Sequence, residues 1–384
     1  MNVIIVGAGI GGLTLGNLLS QSDQDIQFQI FERDADAHSR SQGYSITLRE
    51  PGGLIPLRQL GLYDEMRNVS SVVANFPFLT QTGKPLMNLR DNLASPRTLR
   101  VFREKLRDVL LHGIEQNVHF DGPCLGFTER EGKPTVRLAG GREVSADLVV
   151  ACDGVNSVIR QQMIGDTPSY LGISAISGAV VPALNHPLLA DESFMMVGDG
   201  IGLFVVNEND TTVWSLSMQA RIDEFEGVSK PILKERSMDA TKDWCAPIPE
   251  IISQTDPENI TVRRYYDKEP LTDAHHGQIV LLGDAAHPMT PFRGEGANMS
   301  MVDAHSLANL LIASDRNRID EIIDSYQKEM LNRTRKAVLD SRKAALEIHT
   351  TNPLSQVARN TKWRMANRML SWVQMGQSRS ARQQ

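Results

Sequence analysis

The 384-residue sequence predicts an α/β fold: a parallel sheet flanked by helices, a second antiparallel sheet, and a C-terminal helix. Three observations predict it. A β-branched apolar run from Val3 to Val6 leads through Gly7-Ala8-Gly9-Ile10-Gly11-Gly12 into a helix-length stretch, and Phe28 to Phe31 forms a second such run. Two later buried-strand patterns end at Asp153-Gly154 and at Gly283-Asp284. Between about residues 170 and 270 the pattern changes to alternating runs without intervening helices, as in an antiparallel sheet.

Gly7, Gly9 and Gly12 have the spacing of a dinucleotide fingerprint, and each has its own expected task. Gly7 permits the tight turn out of the strand, Gly9 lets backbone approach a pyrophosphate, and Gly12 lets the helix pack close to the sheet. The helix N-terminus then offers N–H groups and a positive dipole end to phosphate. Glu32 closes the second strand, 20 residues beyond Gly12, where a carboxylate can accept from both ribose hydroxyls of an adenosine. These residues point to an adenine dinucleotide and leave FAD and NAD(P) open. The competing reading is a plain βαβ turn that binds nothing.

Composition bounds the rest. Apolar residues at 41%, charged residues at 22% and a net charge of -6 describe a globular protein with no call for nucleic acid and no stable membrane association. The first strand begins at Val3, so no targeting segment is expected before the fold, and no apolar run is long enough to span a bilayer. Cys124, Cys152 and Cys245 are scattered and odd in number, which argues against a disulfide framework or a metal cluster and favours a reducing cytoplasm.

In chain order, residues 10–21 predict an apolar helix, 34–41 a charged loop containing Arg40, and 44–48 a strand. Residues 53–68 predict one amphipathic helix, and 72–80 with 84–89 a hairpin turning at Thr82-Gly83-Lys84. A helix is expected over about 101–115, with Arg103 and Arg107 one turn apart on one face, followed by strands at 124–130 and 134–139. Strands are then expected at 171–182, 193–197, 201–207, 211–219 and 260–265. Among their residues, Phe204, Trp214, Leu216 and Met218 are candidates for an apolar pocket, although ordinary core is the simpler reading. Beyond Asp284, Pro291-Phe292-Arg293-Gly294-Glu295-Gly296-Ala297-Asn298 leads into a helix over 297–312, and long helices are expected over 317–348 and 353–376.

Three separated motifs coincide: Gly7-x-Gly9-x-x-Gly12 with Glu32-Arg33; Cys152-Asp153-Gly154-x-Asn156-Ser157-x-x-Arg160; and Gly283-Asp284-Ala285-Ala286-His287-Pro288 with Pro291-x-x-Gly294-x-Gly296-x-Asn298. Together they resemble the group A flavin monooxygenases, the para-hydroxybenzoate hydroxylase family, over nearly the whole chain. Within that family, Phe31-Glu32-Arg33-Asp34, Arg103-x-x-Leu106-Arg107 and Val302-Asp303-Ala304 look most like the tetracycline-inactivating members. The resemblance implies a Rossmann-like FAD-binding domain of the glutathione-reductase type, built from 1–71, 94–169 and 271–345. A substrate domain would comprise 72–93 and 170–270, with a C-terminal helix over 346–384.

The resemblance also implies roles. Gly7, Gly9, Gly11, Gly12, Glu32 and Arg33 would hold the adenosine end of FAD. Arg103 would face its ribityl-pyrophosphate region, Asp284 a ribityl hydroxyl, and Arg40 the loop near the flavin. Asp153 would serve both FAD and NAD(P)H. Pro291, Gly294, Gly296, Ala297 and Asn298 would border the flavin ring, and Phe292 is a further pocket candidate. Arg293 and Glu295 depart from the Ala and Gln of the common Pro-Phe-Ala-Gly-Gln-Gly form. In the implied chemistry NAD(P)H reduces FAD, O₂ adds to form a C4a-hydroperoxide, and one oxygen passes to an aromatic or polyketide-like substrate, a tetracycline among the candidates. No protein nucleophile, metal or catalytic side chain is then required. Two readings compete: a reductase or oxidase without oxygen insertion, and a non-redox binder on the same fold. A halogenase is disfavoured, because Trp244-Cys245-Ala246-Pro247-Ile248-Pro249 lacks the second tryptophan of that motif.

Overall fold

The computed structural model describes residues 1–39, 45–90, 97–190, 193–208, 210–315 and 318–380, so Arg40 lies outside the described residues. The chain divides into two compact units. The first comprises Met1–Val72, Arg97–Ser169 and Tyr266–Arg342, the second Val73–Pro96, Tyr170–Tyr265 and Lys343–Gln384.

The first unit is built on a six-stranded sheet in the order His275–His276, Ile279–Leu281, Leu148–Ala151, Asn2–Val6, Gln27–Phe31, Val118–His119. Three of its parallel strands, Asn2–Val6, Leu148–Ala151 and Ile279–Leu281, are buried on both faces and read as unbroken apolar runs, whereas Gln27–Phe31 alternates, with Gln27 and Gln29 exposed. The helix Ile10–Ser20 buries nearly all of its length, and the helix Gly296–Ala313 packs beside it. Two predicted helices need correction. The stretch 53–68 is two helices, Leu54–Gln59 and Tyr63–Asn68, because Gly61 takes φ +71° and turns the chain between them. Residues 101 and 102 belong to the strand Thr98–Phe102, paired antiparallel with Ser45–Arg49, and the helix begins only at Arg103 and ends at Leu111.

The second unit carries a seven-stranded sheet in the order Thr261–Asp267, Ser169–Val180, Thr211–Gln219, Ile201–Glu208, Ser193–Gly198, Asn75–Thr80, Pro85–Arg90. The predicted hairpin at Gly83 is its far edge. The sheet is mixed rather than wholly antiparallel: Ser193–Gly198 lies parallel to Asn75–Thr80, a pairing between segments remote in sequence that no local pattern announces. One face packs on the helices Lys230–Thr241 and Ile248–Gln254, forming a core with Phe194, Leu203, Trp214 and Leu216. Among the described residues, no helix is long and apolar enough to cross a membrane.

Candidate cofactor and active site

Parallel register decides where the motifs meet. Val6 pairs with Ala151 and Ala151 with Leu281, so three neighbouring strands release their loops side by side at one carboxyl edge. Gly7, Gly9, Glu32, Arg33, Asp153 and Asp284 consequently line one cavity of about 450 Å³.

The glycines there are constrained for different reasons. Gly7 has φ +104°, and a Cβ on it would sit 2.5 Å from the Cys152 carbonyl oxygen. A Cβ on Gly12 would lie 2.1 Å from the Gly7 oxygen, and one on Gly11 would lie 2.7 Å from Leu282 Cδ2. Gly11 thus packs too closely against Leu282 and Ser300 to carry a side chain. Gly9 differs from all of these. Its φ of -76° suits any residue, and a Cβ there would meet nothing within 4 Å among the described residues. The described residues give no steric reason for glycine at this position, which opens onto the cavity.

The polar lining fits the same kind of ligand. Asp153 Oδ2 accepts from the Val158 N–H at 2.9 Å, while Oδ1 is buried with no partner among the described residues. Burial raises its pKa against the pull of these local hydrogen bonds. Asp284 opens onto the cavity; desolvation by surrounding protein raises its pKa, opposed by His287 and Arg103. Glu32 accepts the Ala8 N–H on Oε2 at 2.7 Å and the Asp34 N–H on Oε1 at 3.0 Å. Each oxygen retains a lone pair for a ribose hydroxyl. Arg103 and Arg107, expected on one face, have separate tasks. Arg103 is exposed beside Asp284, whereas Arg107 is buried, donating from Nε to the Ala8 carbonyl at 3.2 Å and from Nη1 to the Ala37 carbonyl at 2.8 Å.

The second glycine-rich loop is held from below. Gly294 takes the left-handed conformation at φ +63°, and the long helix starts at Gly296. Asn298, expected to border the cofactor, spends its whole side chain on protein. Its Oδ1 accepts from the Arg49 and Gly53 N–H groups at 3.0 and 2.9 Å, and its Nδ2 donates to the Thr47 and Gly294 carbonyls at 2.8 and 3.1 Å. Only its backbone is left for a ligand. Asn298→Ala is expected to lower stability by about 1–3 kcal/mol, since it orphans buried donors, and to loosen the loop. Thermal denaturation together with cofactor retention on gel filtration checks this; unchanged values in both would refute the bracing role. Glu295 pairs with Arg49 at 3.0 Å, and the same guanidinium donates to the Arg293 and Gly294 carbonyls at 2.8 and 3.1 Å. The departure at Glu295 thus has its counter-charge in Arg49, a residue that no sequence motif singled out.

Two buried braces fix the Gly283-Asp284 turn. Arg160, wholly buried, donates to the Ala285 and Ala286 carbonyls at 3.2 and 2.7 Å and pairs with Asp166. Asp303 receives His287 Nε2 at 2.5 Å, the Gly283 N–H at 3.1 Å and Arg333 Nη2 at 2.7 Å. His287 Nε2 is thereby committed to structure, while Nδ1 is buried with no partner among the described residues. Burial and the neighbouring Asp153 raise the Cys152 thiol well above its ordinary pKa, which leaves it a poor nucleophile.

A cavity with an orphaned carboxylate oxygen, a glycine open to close approach and a helix N-terminus suits a dinucleotide. The model of one family, described as an FAD binding domain, matches residues 1–341. The chain belongs to the group A flavin monooxygenases. This flavin monooxygenase is 31% identical over 320 residues to the aurachin C monooxygenase/isomerase of Stigmatella aurantiaca, covering 81% of this chain and 80% of the relative. It is 27% identical to the 3-amino-4-hydroxybenzoate 2-monooxygenase of Streptomyces cremeus, over 91% and 88% of the two chains. Klebsiella pneumoniae HpxO, complexed with FAD and uric acid, shares the fold at TM-score 0.84 and 24% identity over 95% and 93% of the chains. FAD is the cofactor of this flavin monooxygenase.

Strand alternation sorts the pocket candidates on its second sheet. Trp214 and Leu216 share the face packed against the helices, and both are fully buried. Trp214 Nε1 donates to Thr255 Oγ1 at 2.8 Å, and its ring covers Gly178. They are core, the simpler of the two readings, and not pocket lining, and Met218 packs at the same core's margin. Phe204 pairs with Ser215 and so points to the opposite face, 6.0 Å from the Phe76 ring. Phe292 is half-buried in the first unit's loop.

Proposed function

We propose that this flavin monooxygenase consumes NAD(P)H and O₂ and hydroxylates a small aromatic or polyketide-like molecule. The observation that carries the reading is the convergence of Gly9, Asp153 and Asp284 on one cavity. Bound FAD supplies the electron-transfer and oxygen-activating chemistry. The chain's residues bind and orient it. Glu32 holds the adenosine ribose, the amides after Gly9 face the pyrophosphate, Arg103 adds positive charge beside it, and Asp284 receives a ribityl hydroxyl. The backbone of Gly296, Ala297 and Asn298 presents the positive end of a helix to the flavin ring, favouring negative charge on it. No side chain is assigned as general acid or base. The sequence has no second Gly-x-Gly-x-x-Gly, which favours transient binding of NAD(P)H.

On the second sheet, the half-buried aromatic face of Phe76, Phe78 and Phe204 is the proposed substrate contact. The relative named for 3-amino-4-hydroxybenzoate and the fold neighbour holding uric acid favour a ring bearing heteroatoms. Tetracyclines remain a class to screen beside such rings. The test follows NAD(P)H oxidation and O₂ uptake across a panel of phenols, quinolones and tetracyclines, with mass spectrometry of the products. A product heavier by one oxygen atom is expected. Substrate-dependent NAD(P)H consumption without O₂ uptake would establish the reductase reading instead.

A further inference from the structure

The C-terminal helix Pro353–Ser380 has two chemically different faces. Arg359, Trp363 and Asn367, four residues apart, turn inward on the second unit. The Trp363 ring meets Phe78 edge-on at 5.2 Å, Arg359 Nη1 donates to the Glu347 and Ile348 carbonyls at 3.2 and 3.0 Å, and Asn367 Oδ1 accepts from the Asn88 N–H at 3.0 Å. On the opposite side, Leu354, Val357, Met365 and Met369 are 81%, 64%, 60% and 72% exposed. At 3.6 residues per turn these four, with Ala358 and Thr361 between them, form one stripe centred half a turn from Trp363. Lys362 and Arg364 border it on either side, and Arg368 falls within it, near the Arg364 edge, all three exposed. No packing among the described residues requires four large apolar side chains to share an exposed stripe.

We propose that this face docks on an anionic lipid surface, with the helix lying in the plane of the interface. Charge selects this occupant. From Ile348 to the end the sequence carries Arg359, Lys362, Arg364, Arg368, Arg379 and Arg382, with no Asp or Glu. Arg359 is buried and Lys362 pairs with Glu347 at 2.7 Å, so Arg364 at the edge of the stripe and Arg368 within it supply the exposed charge. A second copy docking through the same face would set these arginines against each other, a like-charge contact that two-fold symmetry repeats. An apolar stripe edged by arginine instead matches a lipid surface whose headgroups are negative and whose acyl boundary accepts Leu and Met.

The test is co-sedimentation of the FAD-loaded full chain with vesicles of phosphatidylcholine alone or with about one-third phosphatidylglycerol. Binding is expected to be about tenfold stronger on the anionic vesicles and to fall as salt rises. Met365→Glu with Met369→Glu should abolish it while FAD content and circular dichroism stay unchanged, and Arg364→Gln with Arg368→Gln should remove the preference for anionic lipid. Absence of vesicle binding, or binding indifferent to the methionine substitutions, overturns the proposal. So does a dimer that Met365→Glu dissociates without any vesicle binding, or retention by polyglutamate but not by vesicles, which would assign the face to a second copy or to an acidic protein.

Discussion

Asp303→Ala is expected to cost about 3–5 kcal/mol of folding stability, because it strips the shared partner from two buried donors and from the half-buried Arg333 at once. The carboxylate is wholly buried between His287, Arg333 and the Gly283 N–H. Without it the Arg333 guanidinium loses its counter-charge, and the turn that presents Asp284 loses its anchor. Burial alone would raise the Asp303 pKa, but His287 and Arg333 outweigh burial and hold it below the ordinary 3.8. The sign follows from linkage: a carboxyl with a depressed folded-state pKa stabilises the protein above its unfolded value, and that stability is lost as pH falls through the folded-state value. Wild-type stability should therefore drop below about pH 3.8. Asp303→Asn, which keeps the volume without the charge, should be destabilised at neutral pH and lack this portion of the acid dependence. Urea titrations at neutral and acid pH measure both effects. A loss under about 1 kcal/mol at neutral pH, or acid profiles that superimpose, would show that the network does not carry the turn.

The parts of the molecule legible in its sequence are those where one local rule acts alone. The buried strands at Val3, Leu148 and Ile279 read as apolar runs, and the glycine and aspartate motifs stand directly at their ends. Parallel register then brings those ends together. Misreadings fell where tertiary context overrode a local pattern. Val101 and Phe102 have a helix-compatible neighbourhood but pair with Ile46 and Ser45, which moves the helix start to Arg103 and sets that arginine beside Asp284. Trp214 and Phe204 are equally candidates for core or pocket because composition does not reveal which face of a strand is covered; the helices above Trp214 decide it. Arg49 carried no signal at all, since its partners Arg293, Gly294 and Glu295 lie some 245 residues away.

The glycine loop allows cofactor binding and folding to be separated by two substitutions three residues apart. Gly9→Val should leave the stability of the cofactor-free protein within about 0.5 kcal/mol, because the backbone there is ordinary and the new side chain meets open space. The same side chain would occupy the approach needed by a pyrophosphate, so FAD affinity should fall at least about a hundredfold, close to 3 kcal/mol. Gly12→Val is expected to do the reverse in order of cause. Its Cβ would lie 2.1 Å from the Gly7 carbonyl oxygen, a backbone atom that no rotamer change can clear, and the helix would have to lift from the sheet. That loss should exceed about 3 kcal/mol, with cofactor release following from the damaged fold. Thermal melts of the cofactor-free proteins and fluorescence titrations with FAD distinguish the two. If Gly9→Val melts as early as Gly12→Val, or binds FAD as tightly as the parent chain, then the open space beside Gly9 is not where the cofactor's phosphates rest.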